Sequence, residues 1–432
     1  MESEPLSFPT LTEGAELVGE FKGSGYRRPP QLVRLANRQV VQLPALLFLV
    51  AKALYDHRHL SADPRAALAQ VADAVTTATG TRLSVEQLLY LVDHKLAPLG
   101  VTTYSDGTSP RLVKADTFLA LRFRVAVIPE SATWFVSGLF AWLFRPTVLL
   151  PTISVITACE LLLVTQPLAE ALNNAIFSPS SILLVLALAV LSCGFHEIGH
   201  ASACRYSGVR PGAMGCGIYL VWPAFYTDIT DSYRLGRAGR LRTDLGGVYF
   251  NGIFLVALTA LYGLTGYTPL LVAILAVNLE IMQQLLPTLR FDGYYIVSDL
   301  VGIPDLFKYI GPILRRTLLR RPADERLHAL KRWPQLIVTF WVLTIIPALV
   351  FQLSLLALQV PTLILATWQR LSILISMAQS GAGPLELLVG AIELVILTLP
   401  LLGFILLTYL MLRWLANKLI PNTPRPITTE AS

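Results

Sequence analysis

Residues 180–204 read SSILLVLALAVLSCGFHEIGHASAC, and two properties of this one stretch govern the reading of the whole chain. Its first half is an unbroken apolar run. A helix rises about 1.5 Å per residue, so roughly 20 such residues cross the hydrocarbon core of a bilayer. Its second half carries His196, Glu197 and His200. Histidines four apart lie on one helical face, so their imidazoles can converge on one tetrahedral metal ion, with Glu197 beside them as a base. Two histidines and a glutamate are costly in an apolar helix without partners, so further ligands are expected elsewhere in the chain.

The surrounding sequence fits a membrane setting. Hydrophobic residues make up 54% of the 432 and charged residues 14%, and the apolar excess is gathered into blocks. That pattern excludes an ordinary soluble enzyme. Six spans are predicted, at 147–167, 180–204, 241–264, 268–287, 335–358 and 388–412, with Pro347 kinking the fifth. The net charge of +6 is not a nucleic-acid signature. Its Lys and Arg fall before the first span, between the second and third, between the fourth and fifth, and after the sixth, which is the positive-inside pattern. Residues 1–30 are polar and lack a signal-peptide core. The expectation is a multi-pass protein of a bacterial inner (plasma) membrane with a cytoplasmic N-terminus. Cys159, Cys193, Cys204 and Cys216 show no paired spacing, so no disulfide framework is expected.

A third ligand is sought at the same depth as His196 and His200. In LPTLRFDG, residues 286–293, Pro287 and Gly293 should break the fourth span at the cytoplasmic side and deliver Asp292 there. Two histidines and one carboxylate leave a fourth position open for water, the arrangement of catalytic zinc sites. Asp228 and Asp231 are alternative acids that also suit the start of the third span as caps. Cys193 and Cys204 share a face with His200, so cysteine ligation is conceivable, although their separation disfavours both serving one ion. Glu160, Glu280 and Glu393 fall inside predicted spans with no assigned role.

FHEIGH followed about ninety residues later by LRFDGYY resembles the site-2 protease family of intramembrane metalloproteases. The resemblance implies Zn2+ held by His196, His200 and Asp292, with Glu197 as catalytic base. PAFYTD at 223–228, LGGVYFN at 245–251 and RFDGYYIVSDLVGIPDL at 290–306 are similar to the peptide zinc metalloproteases of ribosomal peptide biosynthesis, the daptide-type branch in particular. Two departures stand out: Gln284 replaces an asparagine usual in the family, and Gly246-Gly247 replaces a Gly-Pro motif. Gln284 and Asn251 are candidate substrate-binding amides, Asn251 equally a helix-packing one. Residues 218–222 read as a short strand suited to pairing with an extended peptide.

The fold class expected is an all-α polytopic membrane protein of about six transmembrane helices with a small N-terminal α+β winged-helix-like cytoplasmic domain. That domain covers residues 1–115. Residues 32–36 and 39–43 should form a hairpin across Asn37-Arg38. Helices follow from Pro44, from Asp63-Pro64 to Gly80, and from a capping box at Ser84 to Gln87, and a β-wing joins 101–104 to 111–113. The order is similar to leader-peptide recognition domains. A DNA reader is disfavoured because Glu86, Gln87, Asp93, His94 and Lys95 are nearly neutral. An interfacial linker at 116–146, a metalloprotease core at 147–302, a basic cytoplasmic segment at 303–334 that touches anionic lipid, and C-terminal helices and tail at 335–432 complete the chain. The partners expected are a peptide substrate and the bilayer, with no nucleic acid; oligomeric state is open. A transporter or immunity protein that binds peptide without cutting it, and a regulatory site-2 protease, are the rival functions.

Overall fold

The computed structural model describes residues 6–60, 63–111, 122–176, 178–322 and 324–419. The N-terminal region opens with a three-stranded antiparallel sheet, β1 (Glu16–Glu20), β2 (Gln31–Arg34) and β3 (Val40–Leu43), in spatial order β1-β2-β3. The β2–β3 hairpin turns where Asn37-Arg38 predicted it, with Leu32 opposite Gln42 and Arg38 in the left-handed region. β1 was not anticipated, because Gly19 and a register shift interrupt its alternation.

Helices α1 (Ala45–Asp56), α2 (Pro64–Thr79) and α3 (Val85–Leu91) follow. Gly80 closes α2 in a left-handed conformation that a side chain would resist. The Ser84–Gln87 capping box forms reciprocally, at 3.2 and 3.1 Å. The chain continues past α3 as a wider turn, so Leu88, Val92 and Leu96 all point inward with no exposed surface. Thr102 bridges to Leu11 near the N-terminus, and a turn follows at Tyr104–Thr108. Leu112 and Val113 of the expected wing lie outside the described residues.

The expected linker at 116–146 is partly structured. Its β4 (Arg122–Ile128) pairs with β5 (Met214–Tyr219), and β5 pairs with β6 (Trp222–Thr227), giving a second antiparallel sheet. The strand predicted at 218–222 is therefore the turn of a hairpin. Leu220 takes a positive φ, and Tyr219 pairs with Trp222 across it. Helix α4 (Glu130–Phe140) carries the aromatic stretch.

The remaining helices are α5 (Pro146–Leu163), α6 (Leu168–Ile176), α7 (Pro179–Tyr206), α8 (Arg237–Thr265), α9 (Pro269–Leu285), α10 (Asp292–Val301), α11 (Ile310–Leu318), the single turn α12 (Glu325–His328), α13 (Arg332–Gln379) and α14 (Pro384–Leu419). Five of them, α5, α7, α8, α13 and α14, are long and apolar enough to cross a membrane. The sixth expected span is α9, which is apolar but only 17 residues long. It rises about 25 Å, short of the roughly 30 Å hydrocarbon core. It stops early because Leu286 turns to an extended backbone before Pro287.

α13 departs most from expectation. It runs 48 residues through both Pro347 and Pro361 and stops at Gln379, so most of the loop expected at 359–387 is helix. Arg370 of α13 forms an ion pair with Glu393 of α14, which gives that glutamate of the span expected at 388–412 a partner.

The N-terminal region is fastened to the helices by specific contacts. Arg34 Nε meets Asp231 at 2.7 Å, Arg234 reaches Glu16 at 2.8 Å, and Arg38 pairs with Glu130. Residues 25–27 hydrogen-bond Gly302 and Ala329, and Lys331 donates back to Gly25. Arg240, fully buried, binds Asp299 of α10 at 2.8 Å and the Lys22 carbonyl at 3.0 Å.

Candidate metal centre

The site is built where α7 and α8 cross. Gly199 of α7 and Gly246 of α8 face each other so closely that a Cβ at Gly246 would lie 2.6 Å from the Gly199 carbonyl oxygen. Small residues allow this approach of two backbones. It sets a ladder on α8, Thr243, Gly247 and Asn251, in step with His196 and His200 on α7, since residues four apart share one face of a helix.

Each histidine is gripped by that ladder. His200 Nδ1 donates to the Thr243 carbonyl at 2.7 Å, and His196 Nδ1 to the Asn251 Oδ1 at 2.8 Å. Gly247 lies directly against the His196 ring. With their protons on Nδ1, both rings present Nε2 lone pairs. Those atoms lie 3.0 Å apart, and Asp292 Oδ2 lies 3.0 Å from His196 Nε2 and 3.4 Å from His200 Nε2.

Three acceptors at such distances repel unless a cation lies among them. Asp292 Oδ2 is buried and receives no hydrogen bond. The ligand atoms of His196, His200 and Asp292 all fall within 4.8 Å of one another, a set able to hold a metal ion. The donor types and their number suit a four-coordinate zinc with one open position.

Asp292 arrives from the break the sequence predicted. It is the first residue of α10, and the turn before it is pinned on several sides. Tyr219 Oη accepts the Arg290 amide at 3.2 Å, and Trp341 Nε1 donates to the Pro287 carbonyl at 3.0 Å. Gly293 packs so tightly that a Cβ there would stand 2.5 Å from the Leu285 carbonyl carbon.

Glu197 is half-buried beside the cluster. Thr227, the last residue of edge strand β6, donates its hydroxyl to Glu197 Oε2 at 2.7 Å and lies 3.0 Å from the Glu197 carbonyl.

The other candidates fall elsewhere. Asn251 is fully buried behind His196, its Oδ1 engaged by the ring. Gln284 is half-buried one residue from the end of α9. Asp228 accepts from the Thr230 amide and hydroxyl, and Asp231 is held by Arg34, so each has a local role. Cys193 and Cys204 are free thiols outside the cluster. Glu280 has a buried, unpartnered Oε1 among the described residues. Sequence reasoning missed Thr243 and Thr227, and read Gly247 only as a departure from a family motif; Thr243 and Gly247 carried one signal, their four-residue steps to Asn251.

Fold and site thus define a helical membrane protein with a His-His-Asp cluster at a helix crossing. No known family profile matches the chain, and no solved structure does. One curated protein is similar: "Putative peptide zinc metalloprotease protein YydH" of Bacillus subtilis (strain 168), 21% identical over 144 residues. The match covers 33% of this chain and 57% of that protein's length.

Proposed function

We propose that the chain is an intramembrane zinc metalloendopeptidase of the site-2 protease type, acting on the leader of a ribosomally made, modified peptide. The observation that carries this reading is the convergence of two committed imidazoles and a buried carboxylate beside Glu197. The name of the similar Bacillus subtilis protein supports the same chemistry. His196, His200 and Asp292 would hold the zinc. When bound there, the zinc would supply Lewis-acid chemistry, polarising a peptide carbonyl and lowering the pKa of water to about 7.

The remaining steps belong to the chain. Glu197 takes the proton of the attacking water and returns it to the departing amine. The Thr227 hydroxyl, 2.7 Å from Oε2, holds the Glu197 carboxylate in place for this. An extended substrate pairs along β6, the edge of its sheet, which brings the scissile bond toward Glu197 without demanding a sequence. The winged-helix order of residues 1–115 and their contacts with Asp231, Arg234 and Arg240 favour presentation of the peptide from that side. Charge bias favours a bacterial inner membrane with the N-terminus in the cytoplasm.

Mass spectrometry of a co-expressed precursor peptide tests the reading. Glu197→Gln should retain zinc and lose cleavage entirely. Processing that survives in this variant, or a wild-type protein that cuts nothing, would overturn the protease reading; peptide transport or protection that survives the substitution would favour a peptide-binding transporter or immunity protein.

A further inference from the structure

The geometry points to a binding groove for the headgroup of one anionic phospholipid between α11 and the start of α13, separate from the metal centre. Residues 303–334 carry eight basic side chains against three acidic ones. Most of the basic ones need no more explanation than a solvated membrane surface. Two do.

Arg316 and Arg332 converge on a cavity of about 420 Å³, whose polar walls are completed by Thr317, Gln335 and Thr339. On α11 the contributing positions are Ile313, Arg316 and Thr317, and on α13 they are Arg332, Gln335 and Thr339. Each set shares one helical face. Like charges facing one space repel, and among the described residues neither arginine pairs with a carboxylate. Of the three acids, Asp305 binds Lys308 at 3.3 Å and Asp324 caps α12, while Glu325, in the single turn α12, forms no ion pair with either arginine among the described residues. An incoming phosphate would relieve that repulsion and accept paired hydrogen bonds from each planar guanidinium.

The surroundings select a lipid over a free anion. Trp333, Leu336 and Phe340 form an adjacent stripe on α13 and are 75%, 64% and 73% exposed, while Leu318, the last residue of α11, and Leu319 just after it are 72% and 61% exposed. Apolar side chains so exposed beside a cationic groove are placed for acyl chains. The groove also lies where α13 begins its apolar run, with Trp333 in the position of an interfacial aromatic. A zwitterionic headgroup would bring its own cation toward the two arginines, so an anionic one, such as phosphatidylglycerol, is the matching occupant.

Native mass spectrometry of the full-length protein, titrated with phosphatidylglycerol or phosphatidylcholine in detergent, provides the test. Wild type should bind phosphatidylglycerol in preference. Arg316→Gln/Arg332→Gln should lose about 30-fold or more in that affinity, because charge-assisted hydrogen bonds to the phosphate are lost with the charges, while Arg320→Gln/Arg321→Gln, equal in charge but outside the groove, should lose less than about threefold, because no headgroup contact is lost and charge in detergent is screened. Circular dichroism establishes that both variants fold, and zinc content is expected to be unchanged. Equal losses in the two variants would overturn the proposal in favour of diffuse charge. So would equal binding of the two lipids, or displacement of phosphatidylglycerol by millimolar inorganic phosphate.

Discussion

Replacing Gly247 by alanine should cost the protein its metal while leaving α8 intact. A Cβ at Gly247 would stand 2.5 Å from His196 Cε1 and 2.6 Å from Cδ2, against about 3.5 Å for an unstrained contact between carbon atoms. The ring must therefore move by about 1 Å, whereas metal–ligand distances tolerate roughly 0.2 Å. The ring cannot slide freely either, because its Nδ1 is tied to Asn251 at 2.8 Å. Disturbing the partners of a ligating histidine typically costs about 10- to 100-fold in metal affinity, or about 1.4 to 2.7 kcal/mol, and a displaced ligand belongs at the upper end. Zinc retention against a chromophoric chelator, with metal content by mass spectrometry, measures the effect. Gly263→Ala is the matched control: it lies on the same helix, and nothing stands within 4 Å of its Cβ position. A Gly247→Ala protein that holds one zinc as firmly as the Gly263→Ala control would refute the close-crossing argument.

Other substitutions separate the roles around the site. Asn251→Ala removes the acceptor of His196 Nδ1 and should lower zinc affinity by about 10- to 100-fold, read by the same competition. Thr227→Val should lower kcat for peptide cleavage by about tenfold or more, as a hydrogen bond to a charged group is lost; zinc content should not change, and Thr227→Ser should restore most of the rate. Asp299→Ala would leave Arg240 buried without its counter-ion and should destabilise the fold by about 3 to 5 kcal/mol, visible as a lower unfolding temperature in detergent.

The His196, His200 and Asp292 cluster was legible because its parts obey local rules. A four-residue histidine spacing is one helical turn, and a proline and a glycine bracketing Asp292 announce where a helix must break. The hairpin at 31–43 was legible for the same reason, through its turn residues. What escaped was non-local. β4 is paired by residues about ninety positions downstream, and its alternation of Arg122, Phe123, Arg124 and Val125 reads in isolation as a charged flank of the aromatic stretch. α13 was drawn too short because Pro361 and Arg370 look like interruptions. A proline removes one hydrogen bond without ending a membrane helix, and Arg370 is carried there by its pairing with Glu393.

The least legible residues, Thr243 and Gly247, bear on why such a site can exist in an apolar helix at all. A buried histidine pair needs an acceptor for each Nδ1 and a neighbour that does not crowd either ring. α8 supplies all three needs at 243, 247 and 251, on the same face that packs against α7 through Gly246. Helix packing and ligand orientation therefore share one helical face, so a change that parts the two helices also moves both imidazoles. A bulkier residue at Gly246 pushes the helices apart at Gly199 and stretches both imidazole hydrogen bonds at once, whereas a bulkier residue at Gly247 displaces His196 alone. Gly246→Ala should accordingly weaken both zinc retention and thermal stability, while Gly247→Ala weakens zinc retention far more than stability. The ratio of the two losses distinguishes a crossing that positions the metal ligands from one that merely sits beside them.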